Sequence, residues 1–161
     1  MILRDSILIA ADAAIVWPWV ADPSRHAQWN HHVVSVDRRR EGPVHFQERF
    51  DMVYRLSASE RLSHVEVTEC EPNEKAAFSH RIVDERNGRR TEQYVVEHYT
   101  LTPQRGGVLV KQSVDLSRAG VPWWFNVLAR LIRVFGERSG PDLLGTLKRL
   151  AEEDAATAPS T

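Results

Sequence analysis

The chain has 161 residues, a formal net charge of −1 and 27% charged residues, an ordinary balance for one domain large enough to bury a core. No basic excess points to nucleic acid, and the lone Cys70 excludes an intrachain disulfide and a cysteine-based zinc site. No run reaches the ~18 apolar residues that a membrane span needs, and Ile7–Ala11, behind Arg4-Asp5, is too short for a signal-peptide core, so the expected location is the cytoplasm.

Met1 to Ile9, rich in Ile and Leu, reads as an opening strand. Asp12 stands where a helix N-cap belongs, ahead of Ala13, Val16, Trp17 and Val20 at helical spacing, and Pro18 makes that helix short or bent. Asp22-Pro23-Ser24 starts a second short helix through about Gln28. Strands follow at Val33–Arg40, Val44–Leu56, Leu62–Cys70, Ala76–Val83, Thr91–Leu101 and Val108–Leu116. Turn signals stand at Glu41-Gly42-Pro43, Glu71–Glu74, Asn87-Gly88 and Pro103–Gly107. Asn87-Gly88 is the strongest, since both residues tolerate positive φ.

Val121–Asp154 reads as a long terminal helix. At ~100° per residue, Trp124, Leu128, Leu131 and Phe135 point within ~40° of each other, while Leu143, Leu147 and Leu150 point roughly 100–120° away. Gly136, Gly140 and Pro141 lie between, so a kinked helix or two helices are expected. Trp123–Phe135 is apolar over more than half its circumference. It suits burial against the sheet, a lid over a cavity, or a surface for a membrane or second subunit. Residues 155–161 carry no pattern and read as a disordered tail behind one domain spanning 1–154.

The stretch ILIAADAAIVWPWVADPSRHAQWNHHVVSVD and the later VVEHYTLTPQRGGVLV bracket nearly the whole chain. The first resembles the opening strand, "VW" helix and "D-P-x…W" segment of the START-like, Bet v 1-type (SRPBCC) superfamily. The second is similar to that family's "T-L-T-P…G-G" hairpin. The resemblance implies an α+β helix-grip fold. About seven antiparallel strands form a curved sheet, with two short helices after the first, that grips a C-terminal helix over an apolar cavity. It also implies a polyketide cyclase/dehydrase-like or lipid-transporting activity. The family shares no catalytic set, so it transfers no enzyme site.

Val44–Leu56 alternates most cleanly, with Val44, Phe46, Phe50, Met52, Tyr54 and Leu56 on one face. Glu48 breaks that face: it is either a carboxylate among apolar groups, a candidate general acid or base, or a residue at a bulge or strand end that meets an arginine or water. Phe78, His80 and Ile82 share a face of the next hairpin. In Thr91–Leu101 both faces are apolar, which leaves open whether His98 or Tyr99 looks inward. His80 and His98 are therefore candidate proton shuttles, although such a histidine is more often a satisfied, half-buried strand residue. Gln112 interrupts an apolar face beside Val110. The expected ligand lining is Phe46, Glu48, Phe50, Met52, Tyr54, Phe78, His80, Tyr99, Val110, Gln112, Trp124, Leu128 and Leu131. Arg38-Arg39-Arg40 reads as solvated charge. His26, His31 and His32 lack the convergent partners of a metal site, no nucleophile elbow, P-loop or dinucleotide-binding glycine pattern occurs, and no metal or cofactor is expected.

Three readings follow. The first is a binder or carrier of a small hydrophobic molecule, lipid- or polyketide-like. The second is a cofactor-independent cyclase or dehydratase working through a cavity Glu/His pair. The third is a monomer or homodimer that meets a membrane or subunit through Trp123–Phe135.

Overall fold

The computed structural model describes residues 2–56, 59–86, 89–118 and 142–158. The chain runs β1 (Ile2–Ile9), α1 (Ala13–Ala21), α2 (Pro23–Trp29), β2 (Val33–Asp37), β3 (Arg49–Leu56), β4 (Ser59–Glu71), β5 (Lys75–Arg86), β6 (Arg89–Gln104), β7 (Gly107–Arg118) and α3 (Leu143–Thr157). The seven strands form one antiparallel sheet in the order β1-β7-β6-β5-β4-β3-β2. This is the helix-grip architecture, with β1 and β2 as its two edges.

Side chains alternate across each strand, so one face collects the apolar residues. Ile9, Val108, Val110, Leu101, Tyr99, Ala76, Phe78, Val65, Val67, Phe50 and Met52 are buried there. The two short helices cover one end of that face. Val16, Trp17, Trp19, Val20 and Ala21 of α1 and Trp29 of α2 are buried, with Trp29 edge-on to Tyr99. Burial falls off toward the other end, where Val95, Gln112, Val114 and Leu116 are half-buried.

α1 accommodates Pro18 within its nine residues. Asp12 occupies the N-cap position but makes no side-chain cap bond there. The working cap is on α2, where Asp22 Oδ1 accepts from the Ser24 backbone N–H at 3.0 Å.

α3 is held by polar contacts as well as packing. Leu144, Leu147 and Ala151 are buried, each leucine contributing about 2 kcal/mol. The centre of the gripped face is thus Leu144 rather than Leu143 or Leu150, both of which flank it half-buried. Lys148 Nζ donates to the Leu8 carbonyl at 2.9 Å, and Glu152 Oε1 accepts from the Ala10 N–H at 2.8 Å. Trp19 Nε1 donates to Asp154 Oδ2 at 2.9 Å, so the helix end is tied to α1. The helix runs on to Thr157, past the Asp154 boundary expected for the ordered chain. The expected kink, the apolar half-helix Trp123–Phe135 and the lining candidates Trp124, Leu128 and Leu131 lie outside the described residues, as do the Asn87-Gly88 turn and residues 159–161.

The strand expected from Val44 starts only at Arg49. Val44 is buried through its N–H bond to the Ala21 carbonyl, 2.8 Å. Gln47 then takes φ 63°, which breaks the alternation and turns Phe46 outward, 61% exposed. Phe46 is therefore not part of the inward lining.

The β6–β7 hairpin closes tightly, with Gln104 paired to Gly107. Gly107 has φ 147°, and a Cβ there would stand 1.9 Å from the Ile9 carbonyl oxygen. Glycine lets β7 start against the end of β1. Gly107→Ala should lower stability by about 2 kcal/mol or more in urea denaturation. An unchanged midpoint would contradict this close approach.

Candidate functional site

Glu48, the expected catalytic candidate, belongs to a structural clasp. Arg38 Nε donates to Glu48 Oε1 at 2.7 Å and Arg38 Nη2 to Oε2 at 3.0 Å, a bidentate pair. Arg38 Nη1 reaches the Gly42 carbonyl at 2.6 Å and Asp22 Oδ1 at 3.3 Å. The Arg38 side chain is 2% exposed, so it is a buried post and not solvated charge. Burial alone would raise the Glu48 carboxyl, but the Arg38 bonds and the His45 N–H outweigh it and hold it below the usual carboxylate range. The clasp pins the 38–48 loop to the α1–α2 junction.

The inward face carries a different polar group. Register sets Val65 opposite His80, Phe78 opposite Glu97, and Glu97 opposite Val114. Ser63, His80, Glu97 and Gln112 are then successive diagonal neighbours, a polar stripe crossing β4, β5, β6 and β7. Ser63 Oγ lies 3.3 Å from His80 Nδ1. His80 Nε2 lies 3.7 Å from Glu97 Oε2, near enough for ionic attraction and too long for a hydrogen bond. Gln112 Nε2 donates to Glu97 Oε1 at 2.8 Å and to the Tyr99 hydroxyl at 2.9 Å.

His80 is 4% exposed, and among the described residues its Nε2 is buried without a hydrogen-bond partner. Such an atom is costly unless something meets it. With Ser63 donating to Nδ1, the proton of a neutral imidazole stands on Nε2 and faces Glu97. Burial pushes the Glu97 carboxyl up, but His80 first, then His26 and Tyr99, bring it below the ordinary carboxylate range. The side chain is 12% exposed, so this is an ionised carboxylate on an apolar surface.

Two phenols and a second imidazole complete the surroundings. The Tyr54 ring packs edge-on to His80 at 5.5 Å. Burial, with the Glu97 charge adding to it, pushes the Tyr54 and Tyr99 phenols well above their usual range, so both stay protonated donors. His26 Nε2 donates to the Val20 carbonyl at 2.7 Å, and its ring contacts Phe78 and Trp29. Burial depresses its pKa, so it sits neutral in the aromatic floor.

The structure thus brings Phe50, Met52, Tyr54, Phe78, His80, Tyr99, Val110 and Gln112 onto one face. His98 falls on the opposite face of β6, where it lines an open groove with Arg4, Ser6, Thr100 and Lys111. It cannot act with His80. Sequence reasoning misses Glu97 because β6 is apolar on both sides. The signal that finds it is the Asn87-Gly88 turn, since register counted outward from that pair sets Glu97 opposite Phe78. Ser63 and His80 beside an acid do not make a hydrolase triad. Ser63 sits within the regular β3–β4–β5 ladder, without the sharp strand-to-helix turn that exposes a nucleophile.

The family model described as polyketide cyclase/dehydrase and lipid transport matches residues 2–152. Among solved structures, a Thermus thermophilus protein is similar over 98% of this chain and 100% of its own, at TM-score 0.67 and 14% identity. A Chromobacterium violaceum protein is similar over 94% and 96%, at TM-score 0.64 and 17% identity. The di-domain ARO/CYC BexL from the BE-7585A biosynthetic pathway is similar over 99% of this chain and 51% of its own, at TM-score 0.59 and 16% identity. Identities this low carry the fold alone. No curated protein sequence matches the chain.

The clasp and the stripe separate experimentally. Arg38→Met leaves Glu48 and Asp22 without their cation and should cost about 3 kcal/mol of stability. Glu48→Gln should cost less and leave ligand affinity at the inward face unchanged by calorimetry. Loss of binding in a folded Glu48→Gln variant would return Glu48 to the site.

Proposed function

The chain belongs to the polyketide cyclase/dehydrase and lipid-transport family, and from that premise we propose that it binds one small hydrophobic molecule against the inward face of its sheet. The observation that carries this reading is the stripe itself. A mostly apolar surface with a few convergent polar groups is the ordinary composition of a small-molecule site. Here Ile82, Val95 and Val114 neighbour His80 and Glu97 in the sheet, and His80 Nε2 is buried without a hydrogen-bond partner among the described residues. A cytoplasmic carrier needing no cofactor is the simplest form of the proposal. Peripheral membrane contact through Trp123–Phe135 would give a lipid ligand its route in.

A second reading is favoured by one distance, the 3.7 Å between His80 Nε2 and Glu97 Oε2. An ionised carboxylate and an N–H donor on one apolar face suit aldol closure of a polyketone. Glu97 would take the α-proton, the enolate would attack a second carbonyl, and the resulting alkoxide would take the proton of His80 Nε2–H as protonated Glu97 returns one to Nε2, leaving the imidazole neutral and Glu97 ionised. Loss of water would follow.

The test is thermal denaturation against sterols, fatty alcohols, phospholipids and polyketide-like aromatics, with mass analysis of each mixture. A ligand at about 100 times its Kd adds about 2.7 kcal/mol, a rise of about 5–10 °C for a chain of this size. A flat response across the panel contradicts binding. An unaltered ligand after prolonged incubation supports the carrier, and a product lighter by one water that disappears with Glu97→Gln supports the cyclase.

A further inference from the structure

The charges on the inward face narrow the ligand further. Resting on the binding reading above, we propose that the polar end of the site receives a hydroxyl group of a neutral ligand and discriminates against a carboxylate.

His80 Nε2 and Glu97 Oε2 stand 3.7 Å apart, a separation that one oxygen about 2.8 Å from each can bridge. To satisfy both it must accept from an imidazole N–H and donate to a carboxylate oxygen, and a hydroxyl does both. An ammonium has no lone pair for the imidazole N–H. A carboxylate has no proton for Glu97 and brings a like charge beside it in a poorly solvated place. Gln112 Nε2 holds Glu97 Oε1 and also donates to the Tyr99 hydroxyl, which leaves Oε2 as the oxygen nearer His80.

Among the described residues, the other titratable groups facing this point are His26 from α2, the neutral phenols Tyr54 and Tyr99, and Arg61. Arg61 shares the inward register of Ser63 and lies opposite Tyr54, two residues nearer the β3–β4 turn.

The experiment uses a matched pair of rigid probes, 2-naphthol and 2-naphthoate, titrated calorimetrically into the full chain at pH 7. The expected result is at least tenfold tighter binding of 2-naphthol. Glu97→Gln should bring the ratio to within threefold, and His80→Asn should weaken 2-naphthol by about tenfold, each variant first checked by thermal melting. Either variant suffices if the other does not fold. Equal affinities, or tighter binding of 2-naphthoate, would overturn the hydroxyl assignment while leaving the binding site in place. If neither probe binds at millimolar concentration while other hydrophobic ligands do, the assignment falls alone. If nothing binds at all, the binding reading falls with it.

Discussion

Four strands in register place Ser63, His80, Glu97 and Gln112 on one diagonal, and the rest of the site depends on that alignment. Neighbouring strands bring diagonal side chains within reach of long polar groups. A one-residue slip of β6 would send Glu97 to solvent and put His98 inside. Register is therefore what the fold protects. The β6–β7 turn at Gly107, the long β5–β6 pairing and the α3 ties to Leu8 and Ala10 all act on it.

The polar stripe and the clasp answer the same problem differently. Arg38 is a buried cation with three acceptor groups around it, Glu48, Gly42 and Asp22, and its one guanidinium serves both carboxylates. Such a group stabilises geometry. Glu97 has a committed oxygen on Gln112 and a second oxygen beyond hydrogen-bond reach of His80. Incomplete satisfaction in a buried place is what distinguishes a site from a strut.

Much of this is legible in the sequence. The seven strands and the two short helices follow from alternation, spacing and turn chemistry. So does the inward set Phe50, Met52, Tyr54, Phe78, His80 and Gln112, because each sits on a strand whose two faces differ in polarity. Phe46 and Glu48 are misplaced by the sequence for one reason. Alternation carries back through Gln47, whose positive φ is not written in its side chain. Arg38 is misjudged because three consecutive arginines look alike until a fold buries one of them. Glu97 stands on a strand that is apolar on both sides, so alternation is silent there and only the register of the hairpin identifies it. Asp12 shows the opposite case, a residue of the right type at the right place whose cap bond is not made.

The central claim is that a ligand's polar atom meets His80 and Glu97 together. A crystal structure of the complex with a hydroxylated ligand tests it most directly. The account predicts a ligand oxygen within hydrogen-bond distance of both His80 Nε2 and Glu97 Oε2, with the apolar body against Phe50, Ile82 and Val95. A ligand seated elsewhere, with His80 Nε2 and Glu97 unchanged beneath it, would contradict the account.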